Sequence, residues 1–276
     1  MNLPKASGAA GCAVAGSIVS TPPKAACKTA DFWAALPLGP GVTVQARDDN
    51  GLAALAKPAG VLSHPNAAGD EPRSLLRAAY QLEGECFHWD GPAGPQRLWL
   101  LNRLDSATSG VILAAADGEL AREIKAQFRR REVRKVYAAL VFGAPRQPAQ
   151  TWKDKLAITR RGGTIRAATG GNIAAECRMT LWRAGAGQPR ISLVKLEPAT
   201  GRSHQLRVQC ARRGLPIVGD QNYGNFTANR EFAKLARTKR LFLHSLETTF
   251  DYTFRGRTHS FAARAPLPSE FEQFLG

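Results

Sequence analysis

The stretch from residue 98 to 116 constrains this chain more than any other. Residues 98–101 and 111–115 are short aliphatic runs suited to buried strands. Between them lies a polar loop carrying Asn102, Arg103, Asp105, Ser106, Thr108 and Ser109, closed by Gly110. A carboxylate and a guanidinium two residues apart are thereby held at the mouth of a buried sheet, and loops pinned by rigid strands are where chemistry concentrates. Spacing alone leaves a second reading open, in which Asp105 caps a turn and Arg103 is a solvent-facing charge.

Around this centre the chain reads as follows. Residues 1–40 are rich in Ala, Gly, Ser and Pro, have no acidic residue before Asp31 and no arginine at all. Their apolar stretch lacks leucine and is followed by Pro22-Pro23-Lys24, a poor cleavage context, so a flexible tail is expected and not a signal peptide. A single catalytic domain is expected over 41–276. Strands are expected at 42–45 and 52–56, the second ending in the turn Lys57-Pro58-Ala59-Gly60. There Lys57 either faces a phosphate or sits in solvent. The spacing of Leu75, Ala78, Ala79 and Leu82 predicts a helix over 74–82, and the glycines and prolines of 83–96 predict a loop.

Leu120, Ile124 and Phe128 mark the buried face of a helix over 118–131. Its C-terminal run Arg129-Arg130-Arg131 is expected to contact phosphates, positioning a polyanion without reading its sequence. A strand over 133–142 places Lys135, Tyr137, Ala139 and Val141 on one face. Residues 143–190 carry little signal beyond two short strands, the better at 174–182. A strand at 191–196 leads through a turn to a helix over 203–213, capped by Ser203 and stopped by Gly214. His204 and Arg207 lie together at its start, where anions are favoured; a purely structural role for His204 stays open. A strand at 241–250 with His244 in the core, a hairpin turning at Arg255-Gly256-Arg257 and a short helix over 266–275 complete the chain.

Lys plus Arg is 38 against 22 acidic residues, a formal charge of +16, which favours polyanionic partners, nucleic acid before an acidic membrane surface. No apolar run approaches the ~20 residues that cross a bilayer. The five cysteines, Cys12, Cys27, Cys86, Cys177 and Cys210, are widely spaced, with no C-x-x-C pair and no accompanying histidine cluster. This argues for free thiols in a reducing cytoplasm and against a zinc site or a disulfide framework.

Arg103 to Gly110, read Arg-Leu-Asp-Ser-Ala-Thr-Ser-Gly, resembles the active-site loop of the RluA-type pseudouridine synthases. Further resemblances follow in the family's order: Lys57-Pro58-Ala59-Gly60 with His64-Pro65, Lys135-Val136-Tyr137, Gly201 through Arg207, and Pro216 through Asp220. The resemblance covers residues 42–275, most of the chain. The resemblance implies an α+β fold, a large mixed, mostly antiparallel sheet with flanking helices and a basic cleft, in a compact member without a separate N-terminal RNA-binding domain. It implies isomerisation of uridine in ribosomal or transfer RNA by a monomer that needs neither metal nor cofactor. By the same resemblance Asp105 is the essential carboxylate, Tyr137 stacks on the target base, Arg207 pairs with Asp105, and Arg103 fills the gap left by the extruded base. Lys57, Thr108, Lys135, Arg202 and His204 are further expected RNA contacts, beside Arg129, Arg130 and Arg131. The chain departs from the family at Asn102, where histidine is common, which puts substrate choice in question.

The chemistry suits these residue types. Breaking the glycosidic bond, turning the base and rejoining it through carbon 5 needs one carboxylate that acts as nucleophile or base, and a nearby cation, since opposite charge favours the ionised form. Two rival readings differ in class. A non-catalytic RNA-binding or RNA-folding protein on the same fold would have no need of the intact set Asp105, Tyr137 and Arg207. A basic membrane-surface protein would want a strongly basic amphipathic helix with an exposed aromatic face, which is lacking.

Overall fold

The computed structural model describes residues 30–92, 94–161 and 164–275. One curled sheet of thirteen strands dominates it. In chain order the strands are β1 (Thr43–Arg47), β2 (Leu52–Lys57), β3 (Ala79–Gln81), β4 (Cys86–Gly91), β5 (Gly94–Leu100), β6 (Ser109–Ala115), β7 (Arg134–Phe142), β8 (Ala149–Arg161), β9 (Thr164–Thr169), β10 (Ile173–Ala184), β11 (Ile191–Pro198), β12 (Leu243–Phe254) and β13 (Arg257–Arg264). Four helices accompany them: α1 (Ala30–Ala34), α2 (Gly118–Arg130), α3 (Gln205–Arg212) and α4 (Phe226–Ala236). The main path runs β3-β4-β5-β6-β12-β7-β11-β10-β8-β9, with β2 and β1 branching from β6 and β13 from β12. Among the described pairings only β12 with β6 is parallel. This is the expected α+β class.

The central strands are aliphatic because both their faces are covered. In β6 every residue is buried; Ile112 and Ala114 face one core cluster, Val111, Leu113 and Ala115 another. In β7 the same alternation sends Ala139 and Val141 one way, and Ala138, Leu140 and Phe142 the other. Helix α2 forms as expected: Asp117 accepts from the N–H groups of Glu119 and Leu120, Leu120 and Ile124 are buried, and Arg131 ends the helix at φ 65°.

Several expectations fail. Residues 74–82 form no helix; Leu75 and Leu76 are both fully buried in an extended segment that bridges back to residues 38 and 62, and only Ala79–Gln81 is regular, as a strand. The expected loop 83–96 is instead β4 and the start of β5, paired from Cys86↔Trp99 to Gly91↔Gly94. The C-terminal helix over 266–275 is reduced to one 3-10 turn, Ser269–Phe271, and α4 went unanticipated. The expected tail reaches too far: Trp33 and Leu36 are buried in the core, so residues 30–40 belong to the folded domain. The rest of that tail, 1–29, lies outside the described residues.

The parallel junction is tight. Gly110 has φ 112°, and a Cβ there would lie 2.1 Å from the carbonyl oxygen of Ser245 on β12. Gly110→Ala therefore has to part β6 from β12 or distort the loop before it. We expect a loss of about 3 kcal/mol or more in chemical denaturation; a loss below about 1 kcal/mol would show that the two backbones can separate freely here.

Candidate active site

The loop between β5 and β6 is anchored along its length. The Asn102 side-chain oxygen accepts from the Leu113 N–H at 2.7 Å. Ser63 Oγ donates to the Leu104 carbonyl at 2.7 Å and accepts from the Leu104 N–H at 3.1 Å. The Thr108 N–H closes a turn on the Asp105 carbonyl at 3.0 Å. Lys57 Nζ donates to three carbonyls, those of Ser106, Val61 and Pro58, at 2.9, 2.6 and 3.0 Å. Ser109 Oγ meets His244 Nδ1 at 2.9 Å and Arg240 Nη2 at 2.8 Å. Arg240 in turn pairs with Glu270.

Held this way, Asp105 presents its carboxylate to a cleft of about 1340 Å³. Arg207 Nη1 donates to Asp105 Oδ2 at 3.0 Å, while its Nε and Nη2 bind both oxygens of Asp220 at 2.8 Å each. Burial pulls against the charge of Arg207, but Asp220 and Asp105 hold its pKa above the usual arginine value. Burial would raise Asp220; hydrogen bonds from Arg207 and its charge outweigh this and hold it below the ordinary carboxylate range.

His204 stands at the start of α3 in the left-handed region, φ 56°, and is itself the N-cap residue, without a side-chain cap bond; Ser203 does not cap the helix as expected. Its Nε2 lies 3.8 Å from Asp105 Oδ2 and its Nδ1 is 2.8 Å from Tyr223 Oη. That hydroxyl accepts from the Ala167 N–H, leaving its proton free for His204 Nδ1. The neutral ring then carries its own proton on Nε2, towards Asp105. Burial lowers the His204 pKa, the charge of Asp105 opposing it. Tyr223 also lies under the Arg207 guanidinium, 5.1 Å from the ring centroid.

The cleft thus gathers Asp105, Arg207, His204, Tyr137, Lys135, Arg202 and Arg103 from three separate stretches. Burial pushes the Tyr137 hydroxyl up to about 12, the charge of Asp105 adding to it. Burial lowers Lys135 as well. Arg103 is half exposed, with Glu85 at 3.4 Å. Arg202 is exposed, its Nε 3.3 Å from the Ala174 carbonyl oxygen.

Two expectations are corrected. Lys57 meets no phosphate: it is 1% exposed and its donors are spent on backbone carbonyls; burial brings its pKa down to about 7. The Thr108 side chain is buried, and its contribution is the backbone turn on Asp105. The arginine run expected to contact phosphates, Arg129, Arg130 and Arg131, lies outside the cleft; Arg130 is paired with Glu123 and Glu132, and Arg131 terminates α2. Conversely Asp220, Tyr223 and Arg240 were given no role from sequence. The available signal for Asp220 was its place in a recognised motif together with the need of a buried arginine for a second carboxylate.

Residues 51–212 match the model of the RNA pseudouridylate synthase family. The chain is 33% identical to the dual-specificity RNA pseudouridine synthase RluA of Escherichia coli O6:H1, over 83% of this chain and 95% of that one. It is also 33% identical to tRNA pseudouridine synthase C of Haemophilus ducreyi, over 72% of this chain and 81% of the relative. The chain belongs to the RNA pseudouridylate synthase family, a family of isomerases. The fold is shared with human RNA pseudouridylate synthase domain containing 1, with a TM-score of 0.61 at 22% identity, covering 83% of this chain and 86% of that chain.

Asp220→Asn leaves the buried Arg207 with a single full carboxylate. Breaking half of such a pair is expected to cost about 3 kcal/mol in denaturant unfolding. A variant as stable as the parent would mean that Asp105 alone suffices to hold Arg207.

Proposed function

We propose that this chain isomerises uridine to pseudouridine in transfer or ribosomal RNA, with Asp105 as its catalytic carboxylate. The observation that carries this reading is the 3.0 Å ion pair of Asp105 with Arg207, inside a cleft roomy enough for a nucleotide. The relatives' names, a transfer-RNA enzyme and a dual-specificity RNA enzyme, support the substrate class.

In the reaction the C1′–N1 bond breaks, a C1′–C5 bond forms, the C5 proton leaves and N1 takes up a proton. Electrons are neither gained nor lost overall, so the isomerisation needs no redox partner. Asp105 acts on the nucleoside as nucleophile or base, and Arg207 fixes which of its oxygens is free: Oδ2 is engaged, Oδ1 is left for the substrate. Tyr137, whose proton stays on well above neutrality, offers a neutral ring to the extruded uracil. Arg103, half exposed at the rim, takes the place of the base in its stack. The free thiols Cys86, Cys177 and Cys210 suit the cytoplasm. Among the described residues no helix is long and apolar enough to cross a membrane.

Tritium release from RNA labelled at carbon 5 of uracil tests the catalytic reading. Asp105→Asn should lose turnover by at least about a thousandfold while still binding RNA. Turnover retained in the variant would remove Asp105 from the mechanism.

Arg202 and Lys239 line the cleft without a carboxylate partner among the described residues. Changing both to Gln should reduce the slope of log affinity against log salt by about one to two. An unchanged slope would place the phosphates elsewhere.

A further inference from the structure

The cleft is also lined by one ring, His64, of an aromatic pair for which the reaction above has no use. His64 lies flat on Tyr80, with ring centroids 4.6 Å apart and planes 6° from parallel. Tyr80 leans on Phe87 at 4.8 Å, and Phe87 is fully buried, so the lower half of the stack is part of the core. Tyr80 Oη is buried with no hydrogen-bond partner among the described residues, so the pair is held by its rings alone. His64 itself is half-buried and lines the cleft together with Arg103 and Asp105.

Two contacts fix where this ring points. His64 Nδ1 lies 2.9 Å from the Pro65 carbonyl oxygen and so carries a proton there. Ser63, one residue earlier, is bonded twice to Leu104, the neighbour of both Arg103 and Asp105. The ring is therefore tied to the catalytic loop by backbone and side-chain bonds together. With one face on Tyr80 and the Nδ1 edge on its own chain, its free surface is the opposite face. A flat, rigid face backed by the core suits any nucleobase, because every base offers a π-surface.

We infer that His64, backed by Tyr80, is a stacking platform for an RNA base flanking the uridine that enters the site. This rests on the reading that the cleft takes an extruded nucleotide. The platform holds the strand beside the gap that extrusion leaves, while Arg103 occupies the gap itself. It reads no sequence, so its effect falls on how tightly the RNA is held.

The variants are His64→Ala, His64→Phe and His64→Gln, with transfer RNA and ribosomal RNA transcripts as probes for both binding and tritium release. His64→Ala should weaken binding and raise KM about tenfold, the loss one stacked base accounts for, with a smaller loss in kcat. His64→Phe should restore most of it, and His64→Gln should behave as His64→Ala. Parent-like affinity in His64→Ala, or rescue by Gln as good as by Phe, would overturn the platform. Should His64→Ala fail to fold, the comparison of Phe with Gln decides the matter. Absence of tritium release from the parent chain would sink the catalytic reading, while the affinity series still judges the platform.

Discussion

Arg207 is the residue on which the rest of the site depends. Its guanidinium is withdrawn from water and would be intolerable there without partners. Asp220 takes two of its donors in a planar fork, and Asp105 takes a third. This division has a directional consequence. The Asp220 fork sets the plane of the guanidinium, so the remaining Nη1 donor can aim only where Asp105 is. The loop at Asp220 is itself set by bonds from Asn222 and Tyr223 to the same carboxylate and from Asn229 to its carbonyl. Arg207 thus couples α3, the 220 loop and the β5–β6 loop in one charge-assisted network.

The anchoring of Asp105 from behind follows a similar logic. A loop that carries a reactive carboxylate must expose it and yet keep its backbone still. Here the backbone is held by partners drawn from distant stretches: Lys57 on Ser106, Ser63 on Leu104, and His244 with Arg240 on Ser109. Burying a lysine is costly unless its donors are spent, and Lys57 spends them on three carbonyls. Arg240 extends the network to Glu270 in the C-terminal segment. The 3-10 turn Ser269–Phe271 therefore bears on the Asp105 loop through Arg240.

What the sequence revealed tracks what local chemistry decides. The strands flanking Asp105 were legible because β6 is buried on both sides and so is aliphatic from Val111 to Ala115. Helix α2 was legible because Leu120 and Ile124, both buried, recur at the helical period. The segment 74–82 misled because Leu75, Ala78, Ala79 and Leu82 fall at helical spacing, whereas the fold buries the adjacent Leu75 and Leu76 together in one core cluster and leaves Leu82 exposed. The glycines and prolines of 83–96 hid β4, whose Phe87 packs inward between the exposed His88 and the strand's end. In the site, the pairing of Arg207 with Asp105 came from a resemblance and has its geometry in the structure. The inward turn of Lys57 was hidden for a physical reason: a lysine beside a turn normally keeps its charge in water, and only three converging carbonyls, set by tertiary structure, reverse that preference.

Asn102 sits where the resemblance leads one to expect histidine, and the structure gives that difference a definite content. Its side-chain oxygen accepts from the Leu113 N–H, a backbone donor of β6 that the neighbouring strand leaves open at the loop's entry. A histidine could accept the same bond only through an unprotonated ring nitrogen, so its hold on the strand would weaken as the ring took up a proton near neutrality. An amide oxygen accepts at every pH. Asn102 thus commits this position to fastening the start of the Asp105 loop in a way that does not titrate.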